Sequence, residues 1–187
     1  MEITAGITAH SARHLVMQMA TYRRKVFVER LGWELQAQNG LEFDQFDRDD
    51  TMYVVAQDHN GWVTGCARLL PTTRPYLLGE VFPQLMQGQP LPCTPQVWEL
   101  SRFAAMDLQA PSPRPSDQFS SPLAAGLPKA SLQGAAQHGA QQVITVSPLG
   151  VERLLRKAGI HARRAGAPVK VGGHWLFACL IDCNSWH

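Results

Sequence analysis

Leu15, Met19, Tyr22 and Val26 recur at helical spacing and predict an amphipathic helix over residues 10–31 that stops near Gly32. The period then disappears: residues 33–50 mix Gly, Asn and Asp with aromatics, the pattern of a long loop folded over something. Apolar, β-branched runs at 52–56 and 62–70 flank a polar stretch ending in Asn60-Gly61, which predicts a hairpin of two antiparallel strands. Several prolines make 71–95 a loop with one short helix at 78–86, before a strand at 97–105. Further on, an Ala- and Gln-rich helix is predicted at 132–142, a buried strand at 142–147, a helix at 149–158 closed by Gly159, and strands at 169–171 and 175–181. Pro111-Ser112-Pro113-Arg114-Pro115-Ser116 suits neither helix nor central strand, so about 108–128 is expected to be an exposed Pro/Ser-rich loop insertion and not a domain boundary. The order of helix, strands, helix, strand, helix, strands places the chain in the α/β class, around one mixed sheet.

Composition narrows this picture. With 187 residues, 45% of them apolar, the chain can bury the core of a single domain spanning 1–187 and is not wholly disordered. The first residues lack a basic start followed by an apolar run, and no stretch reaches the ~20 apolar residues needed to span a bilayer, so a cytoplasmic protein without a membrane segment is expected. A net charge of +2 is not the footprint of a dedicated nucleic-acid binder. Locally, however, Arg153, Arg156, Lys157, Arg163, Arg164 and Lys170 share a short region with one carboxylate, Glu152: either a patch for an acidic partner or a solvated helix face. Cys66, Cys93, Cys179 and Cys183 show no CxxC and no paired His spacing, so free thiols and no metal site are expected.

Candidate chemistry comes from charges set among large apolar residues. Glu99 and Arg102 are threaded through Trp98-Glu99-Leu100-Ser101-Arg102-Phe103, and Glu42, Asp44 and Asp47 through Glu42-Phe43-Asp44-Gln45-Phe46-Asp47. Burying such groups costs several kcal/mol (about 3–5 for an unpaired member) unless they are paired, so each segment builds either an internal ion pair or a polar ligand site. Glu99 is a candidate general base or an ion-pair partner of Arg68 or Arg23; the aspartates either bind a cation or cap their own loop. In an unbroken strand Glu99, Ser101 and Phe103 face one way and Trp98, Leu100 and Arg102 the other, separating Glu99 from Arg102 unless a bulge intervenes.

Four motifs in order, Arg23-x-x-x-Phe27-x-x-x-x-x-Trp33, Glu42-x-Asp44-x-Phe46-Asp47, Gly65-Cys66-Ala67-Arg68 and Trp98-Glu99-Leu100-Ser101-Arg102-Phe103, resemble the acyl-homoserine-lactone synthases, bacterial makers of quorum-sensing autoinducers. The resemblance resumes more weakly through Val143-Ile144-Thr145-Val146-Ser147 and Gly150-Val151-Glu152-Arg153. It implies a three-layer α-β-α sandwich similar to the GNAT N-acyltransferases, and an acyltransferase joining S-adenosylmethionine to an acyl chain delivered on acyl carrier protein. S-adenosylmethionine is then a substrate and no tightly bound cofactor is implied. In that frame Glu99, Arg102 and Ser101 are the catalytic candidates. Arg23, Phe27, Trp33, Asp44, Asp47, Arg68 and Phe103 are candidates for holding S-adenosylmethionine, and Arg23, Arg68 and Arg102 are expected to form a network with Asp44, Asp47 and Glu99 that shapes the site. Met106, Val143, Thr145, Val146, Ser147 and Leu176, together with Phe103, are candidates for the acyl pocket, and Arg153 with Lys157 for carrier-protein docking. Members that take 3-oxo chains often carry threonine where this chain has Ser147-Pro148, so an unsubstituted acyl chain is expected. No Gly-rich phosphate cradle of the coenzyme A type is present, which favours the carrier protein as donor. An acyl-coenzyme A N-acyltransferase of the same fold and a non-catalytic carrier-binding regulator are the alternatives.

Overall fold

In the computed structural model, residues 2–8, 11–109 and 122–184 are described. Eight strands form one sheet in the order β1 (Glu2–Ile7), β4 (Met52–Gln57), β5 (Val63–Pro71), β6 (Val97–Ala105), β7 (Gln142–Pro148), β10 (His174–Asp182), β8 (Ala162–Arg164), with β9 (Val169–Val171) also paired to β10. Every described pairing is antiparallel except β6 with β7, so the sheet is mixed. A separate two-stranded hairpin, β2 (Ala37–Gln38) and β3 (Leu41–Glu42), lies inside the stretch expected to be loop.

Helices cover both faces. On one, α1 (Arg13–Arg23) packs Met19 and Tyr22 against Tyr53, Val55, Cys66 and Ala104, while Phe46, Tyr76, Leu78 and Leu85 cover Leu70, Ile144 and Ala178. On the other, α3 (Pro122–Gln137) and α4 (Leu149–Lys157) bury Leu127, Leu132, Leu154 and Leu155 against Val54, Leu69, Leu100, Val143 and Phe177. β5 is buried along nearly its whole length because Cys66, Arg68 and Leu70 face one layer and Ala67 and Leu69 the other. The result is the three-layer α/β sandwich expected above. Gly65 makes the close approach of α3 possible: a Cβ there would meet Leu123 and Leu127 at 3.3 Å and the Ala104 carbonyl at 3.1 Å.

Several element boundaries depart from expectation for physical reasons. The first helix is α-helical only to Arg23; Arg24–Arg30 widens into a π-helix, with the Leu31 N–H reaching the Val26 carbonyl, before Gly32 at φ 68° ends it. The helix expected at 132–142 is α3, which begins at Pro122 and ends at Gln137. Residues 122–128 of the expected loop insertion are therefore helical: Leu123, Ala124 and Leu127 bury on the sheet, and that burial outweighs the hydrogen bond Pro128 cannot make. Pro111–Ser116 and the rest of 110–121 lie outside the described residues. The helix expected at 78–86 is split into α2 (Leu77–Val81) and a 3-10 turn, Pro83–Met86.

Candidate active site

The site is assembled on the α1 face where β5 and β6 lie side by side. Arg68 pairs with Ser101 and Leu70 with Glu99, whereas Cys66 already pairs with Ala104, so two residues of β6 oppose Ala67 alone. This bulge is centred on Arg102, which takes φ 51°, a left-handed conformation uncommon for a residue with a side chain. The bulge resets the alternation. Arg102 joins Glu99 and Ser101 on the α1 face, and Phe103 turns to the opposite face against the α3 and α4 core. Phe103 therefore does not sit with the other residues expected to hold S-adenosylmethionine.

Three arginines from three elements meet three carboxylates, Glu42 at the end of β3 and Asp44 and Asp47 in the loop that follows it. Arg23 of α1 donates from Nη1 and Nη2 to Asp47 at 2.7 and 3.0 Å, and from Nε to Glu42. Arg68 donates from Nη1 to Asp44 at 2.6 Å and Asp47 at 3.1 Å, and from Nε to the Ser101 hydroxyl at 3.1 Å. Arg102 donates from Nη2 to Glu42 at 3.0 Å and Asp44 at 2.8 Å. The loop is folded for this purpose: the Asp44 N–H donates to Asp47 and the Phe46 N–H to Asp44. Glu42, fully buried, and Tyr53, whose hydroxyl donates to Asp47 at 2.6 Å, were not among the expected site residues. For Glu42 a signal existed in its position among aromatics; for Tyr53 it lay only in the cross-strand register that sets it opposite Arg68.

The charges settle one another. Burial alone would drag the Arg23 and Arg68 guanidiniums down, but Asp47 and its fellow carboxylates outweigh it and hold both above their ordinary values. Burial likewise pushes Asp47 up, and Arg23 and Arg68 overcome it to leave the carboxyl well below the usual range. Glu99 behaves differently. It forms no ion pair among the described residues; its two oxygens accept the Leu77 and Leu78 N–H groups at 2.9 and 2.6 Å, capping α2, whose own N-cap Tyr76 supplies no side-chain bond. Burial raises its pKa, and the two backbone bonds and the charges of Arg68 and Arg102 offset this only in part. Three guanidiniums thus face four carboxyls, and Glu99 is the one left over.

Phe27 and Trp33 stack with ring centroids 4.9 Å apart, and the Arg102 guanidinium lies 5.9 Å from the Phe27 ring centre. Phe27 is buried and Trp33 is 40% exposed, so the aromatic pair bridges the charge cluster and solvent. A cavity of about 330 Å³ lies along the β2–β3 hairpin, lined by Gln36, Gln38, Asn39, Leu41 and Phe43, and the Arg23 guanidinium stands 6.0 Å from the Phe43 ring centre.

The residues expected to line one acyl pocket are not brought together. Strand alternation sends Val143 to the α3 and α4 face, with Thr145 and Ser147 in step with it and their hydroxyls 3.4 Å apart, while Val146 and Leu176 pack on the other face. Met106 belongs to the α1 cluster. β6 and β7 are paired only through Val97–Leu100 and Gln142–Thr145, so Ser101–Phe103 and Val146–Ser147 stand on the two lips of a wedge beyond the last paired residues. Arg153 and Lys157 are exposed on α4, and neighbouring Glu152 is engaged by Arg164 at 2.7 and 2.9 Å.

Comparison with known proteins places this geometry. Residues 8–186 match the autoinducer synthase family. The chain is 54% identical over 182 residues to the acyl-homoserine-lactone synthase of Acinetobacter nosocomialis, covering 97% of this chain and all of that one. It superposes on TofI, solved in a ternary complex with an inhibitor and MTA, with TM-score 0.83 and 43% identity over 98% of this chain and 92% of that one. For BjaI, a CoA-dependent acyl-homoserine lactone synthase solved with SAM and isopentyl-CoA, the TM-score is 0.84 at 29% identity over 97% and 83%. An acyl-CoA N-acyltransferase from Pseudomonas aeruginosa shares the fold at TM-score 0.62 and 16% identity over 96% and 97%. By the length of the family match and the identity of its relatives, the chain belongs to the autoinducer synthase family and is an acyltransferase on the N-acyltransferase fold.

Proposed function

We propose that the protein makes an N-acyl-L-homoserine lactone from S-adenosylmethionine and an acyl thioester carried by acyl carrier protein. The observation that carries this reading is Glu99, a buried carboxyl left without an arginine partner beside a cluster in which every other carboxylate is paired. A raised pKa suits a group that must take a proton near neutrality. Glu99 accepts the proton of the methionyl amine, directly or through a water, as the amine attacks the thioester carbonyl; the tetrahedral intermediate collapses, the C–S bond breaks with its electron pair on sulfur, and the carrier leaves as a thiolate that takes up a proton. A carboxylate oxygen of the methionyl group then attacks the carbon bonded to sulfur, that C–S bond breaks, its electron pair stays on sulfur, and methylthioadenosine departs. The second step needs chiefly the folded substrate geometry, because the sulfonium is a good leaving group.

The Trp33 and Phe27 faces suit the adenosyl end. Asp44, at 16% the most exposed carboxylate of the cluster, suits the cationic end. The thioester is to enter by the wedge between β6 and β7, with the acyl chain toward Phe103, Val143, Thr145 and Ser147. Arg153 and Lys157 favour an acidic carrier protein as donor. The CoA-dependence of BjaI favours a second reading in which acyl-coenzyme A is the donor. Incubation with S-adenosylmethionine and matched acyl carrier protein and acyl-coenzyme A thioesters, with lactone and methylthioadenosine followed by mass spectrometry, tests both. Stoichiometric lactone and methylthioadenosine from the carrier thioester supports the proposal, and turnover with coenzyme A thioesters alone supports the second reading. Neither product from a folded protein contradicts both.

A further inference from the structure

Residues 72–96 join β5 to β6, antiparallel neighbours that a tight turn suffices to connect. A connection this long inside one domain is ordinarily functional. It is also closed on itself. The Thr72 N–H donates to the Val97 carbonyl at 3.3 Å, the Thr72 hydroxyl donates to the same oxygen at 2.7 Å, and the Tyr76 hydroxyl donates to the Pro92 carbonyl at 2.8 Å. Leu78 is fully buried in the cluster that holds Leu70, Ile144 and Ala178. These contacts fix the start of α2 against β6, with the Leu77 N–H 2.9 Å from Glu99 Oε2 and the Leu78 N–H 2.6 Å from Oε1.

Each Glu99 oxygen thus accepts one backbone N–H and keeps a lone pair for a further proton. The groups around it leave these two donors decisive. Opposite Glu99, β5 presents Leu70 and β7 presents Ile144, neither of them charged. Arg68 and Arg102 face it from β5 and β6, but both are engaged by Glu42, Asp44 and Asp47. Burial and the Glu99 charge push the Tyr76 hydroxyl up to about 12, so it stays neutral. Burial pushes Glu99 itself up, and the Leu78 and Leu77 bonds pull against it more strongly than Arg68 and Arg102 do. A buried carboxyl without such donors keeps its proton and is no base at neutral pH.

We infer that the Leu77 and Leu78 N–H groups are the positioning groups of the base, holding both Glu99 oxygens in one orientation and keeping the buried carboxylate charged, and that the β5–β6 connection is long because it delivers them. This rests on the reading of Glu99 as the base and adds groups that lie in none of the charged motifs.

The test is single-turnover amide formation against pH, with saturating S-adenosylmethionine and an acyl carrier protein or coenzyme A thioester, whichever turns over. Leu77 is the first residue of α2, and Tyr76 before it is extended at φ −141° and ψ 162°, the conformation a following proline requires. Leu77→Pro therefore deletes one donor where the backbone accepts the ring. The α-hydroxy analogue of leucine at position 78 deletes the other donor and keeps the buried side chain, so the test stays readable if Leu77→Pro does not fold. Each change is expected to move the acid limb of the wild-type profile up by about 1 to 2 pH units, the effect of losing one hydrogen bond to a charged group. The sign follows because the donors favour the charged form, and without them burial raises the carboxyl further. In a Glu99→Gln background neither change should alter the profile. If Glu99→Gln removes the limb and both variants leave it in place, with or without a lower plateau, the positioning role is overturned and the base reading stands. A limb that Glu99→Gln retains, or no amide from wild type with either thioester, overturns the base reading and the positioning role with it.

Discussion

The protein uses arginine in two opposite ways. Around Glu42, Asp44 and Asp47, Arg23, Arg68 and Arg102 are buried and nearly every donor is matched. Along α4 and β8, Arg153, Arg156, Lys157 and Arg163 are exposed, and the one nearby carboxylate is taken by Arg164. In the first region water is excluded, so pairing must be close to complete, and the side chains become a rigid frame. In the second region water screens each charge. Such groups add ~0–1 kcal/mol each to stability and act mainly on the encounter with a partner. The buried set fixes geometry, and the exposed set offers recognition.

The largest break in this comparison is expected from Arg23→Ala. It strands Glu42 and Asp47 without their bidentate and Nε partners and should cost about 3–5 kcal/mol, read as a lower urea midpoint with an unchanged slope. A smaller loss, about 2 kcal/mol at pH 7, is expected for Asp47→Asn, which keeps shape and removes charge. Its pH dependence sharpens the point. The arginines hold the Asp47 carboxyl below its unfolded value, so its contribution is present above that unfolded value and is lost as pH falls through the folded one. The gap between wild-type and Asp47→Asn stabilities should therefore begin to close as pH falls below about 4 and keep narrowing toward the lower folded value; a gap that stays constant in acid contradicts the paired state of Asp47. The smallest effect on stability is expected on the exposed side. Arg153→Glu with Lys157→Glu should change unfolding free energy by ~0.5 kcal/mol or less while raising KM for an acyl carrier protein thioester roughly 10-fold at low salt. Unchanged carrier kinetics remove that helix face as the docking site.

How much of this was legible in the sequence depended on whether the signal was local. The bounds of β6 follow from apolar residues that continue on either side of Glu99, Ser101 and Arg102, and the paired strands β4 and β5 from the runs flanking Asn60-Gly61. β1 and β8 are edge strands whose partly exposed, mixed patterns resemble loop, and their pairing with β4 and β10 is a long-range fact. The charged residues that would matter were visible because Glu99, Arg102, Asp44 and Asp47 sit among aromatics. That Arg23, Arg68 and Arg102 would meet Asp44 and Asp47 was implied by the resemblance, but which guanidinium meets which carboxylate was not visible, and the expected link of the network to Glu99 does not form. The left-handed turn at Arg102, which puts it beside Glu42 and sends Phe103 away, depends on a bulge no spacing rule reveals. The division of Val143, Thr145 and Ser147 from Val146 does follow from strand period. Capping of α2 by Glu99 required the fold, because the donors are backbone N–H groups of Leu77 and Leu78.

The central claim is that Glu99, the carboxyl without an arginine, takes the amine proton. Single-turnover amide formation, measured against pH for wild type and Glu99→Gln at saturating S-adenosylmethionine, tests it most directly. Wild-type rates should fall in acid with an apparent pKa above the ordinary glutamate value, in the direction burial sets. The variant should bind S-adenosylmethionine normally yet form amide about 10²- to 10⁴-fold more slowly, without that acid limb. A Glu99→Gln protein that forms amide at the wild-type rate, with the same pH profile, contradicts the account.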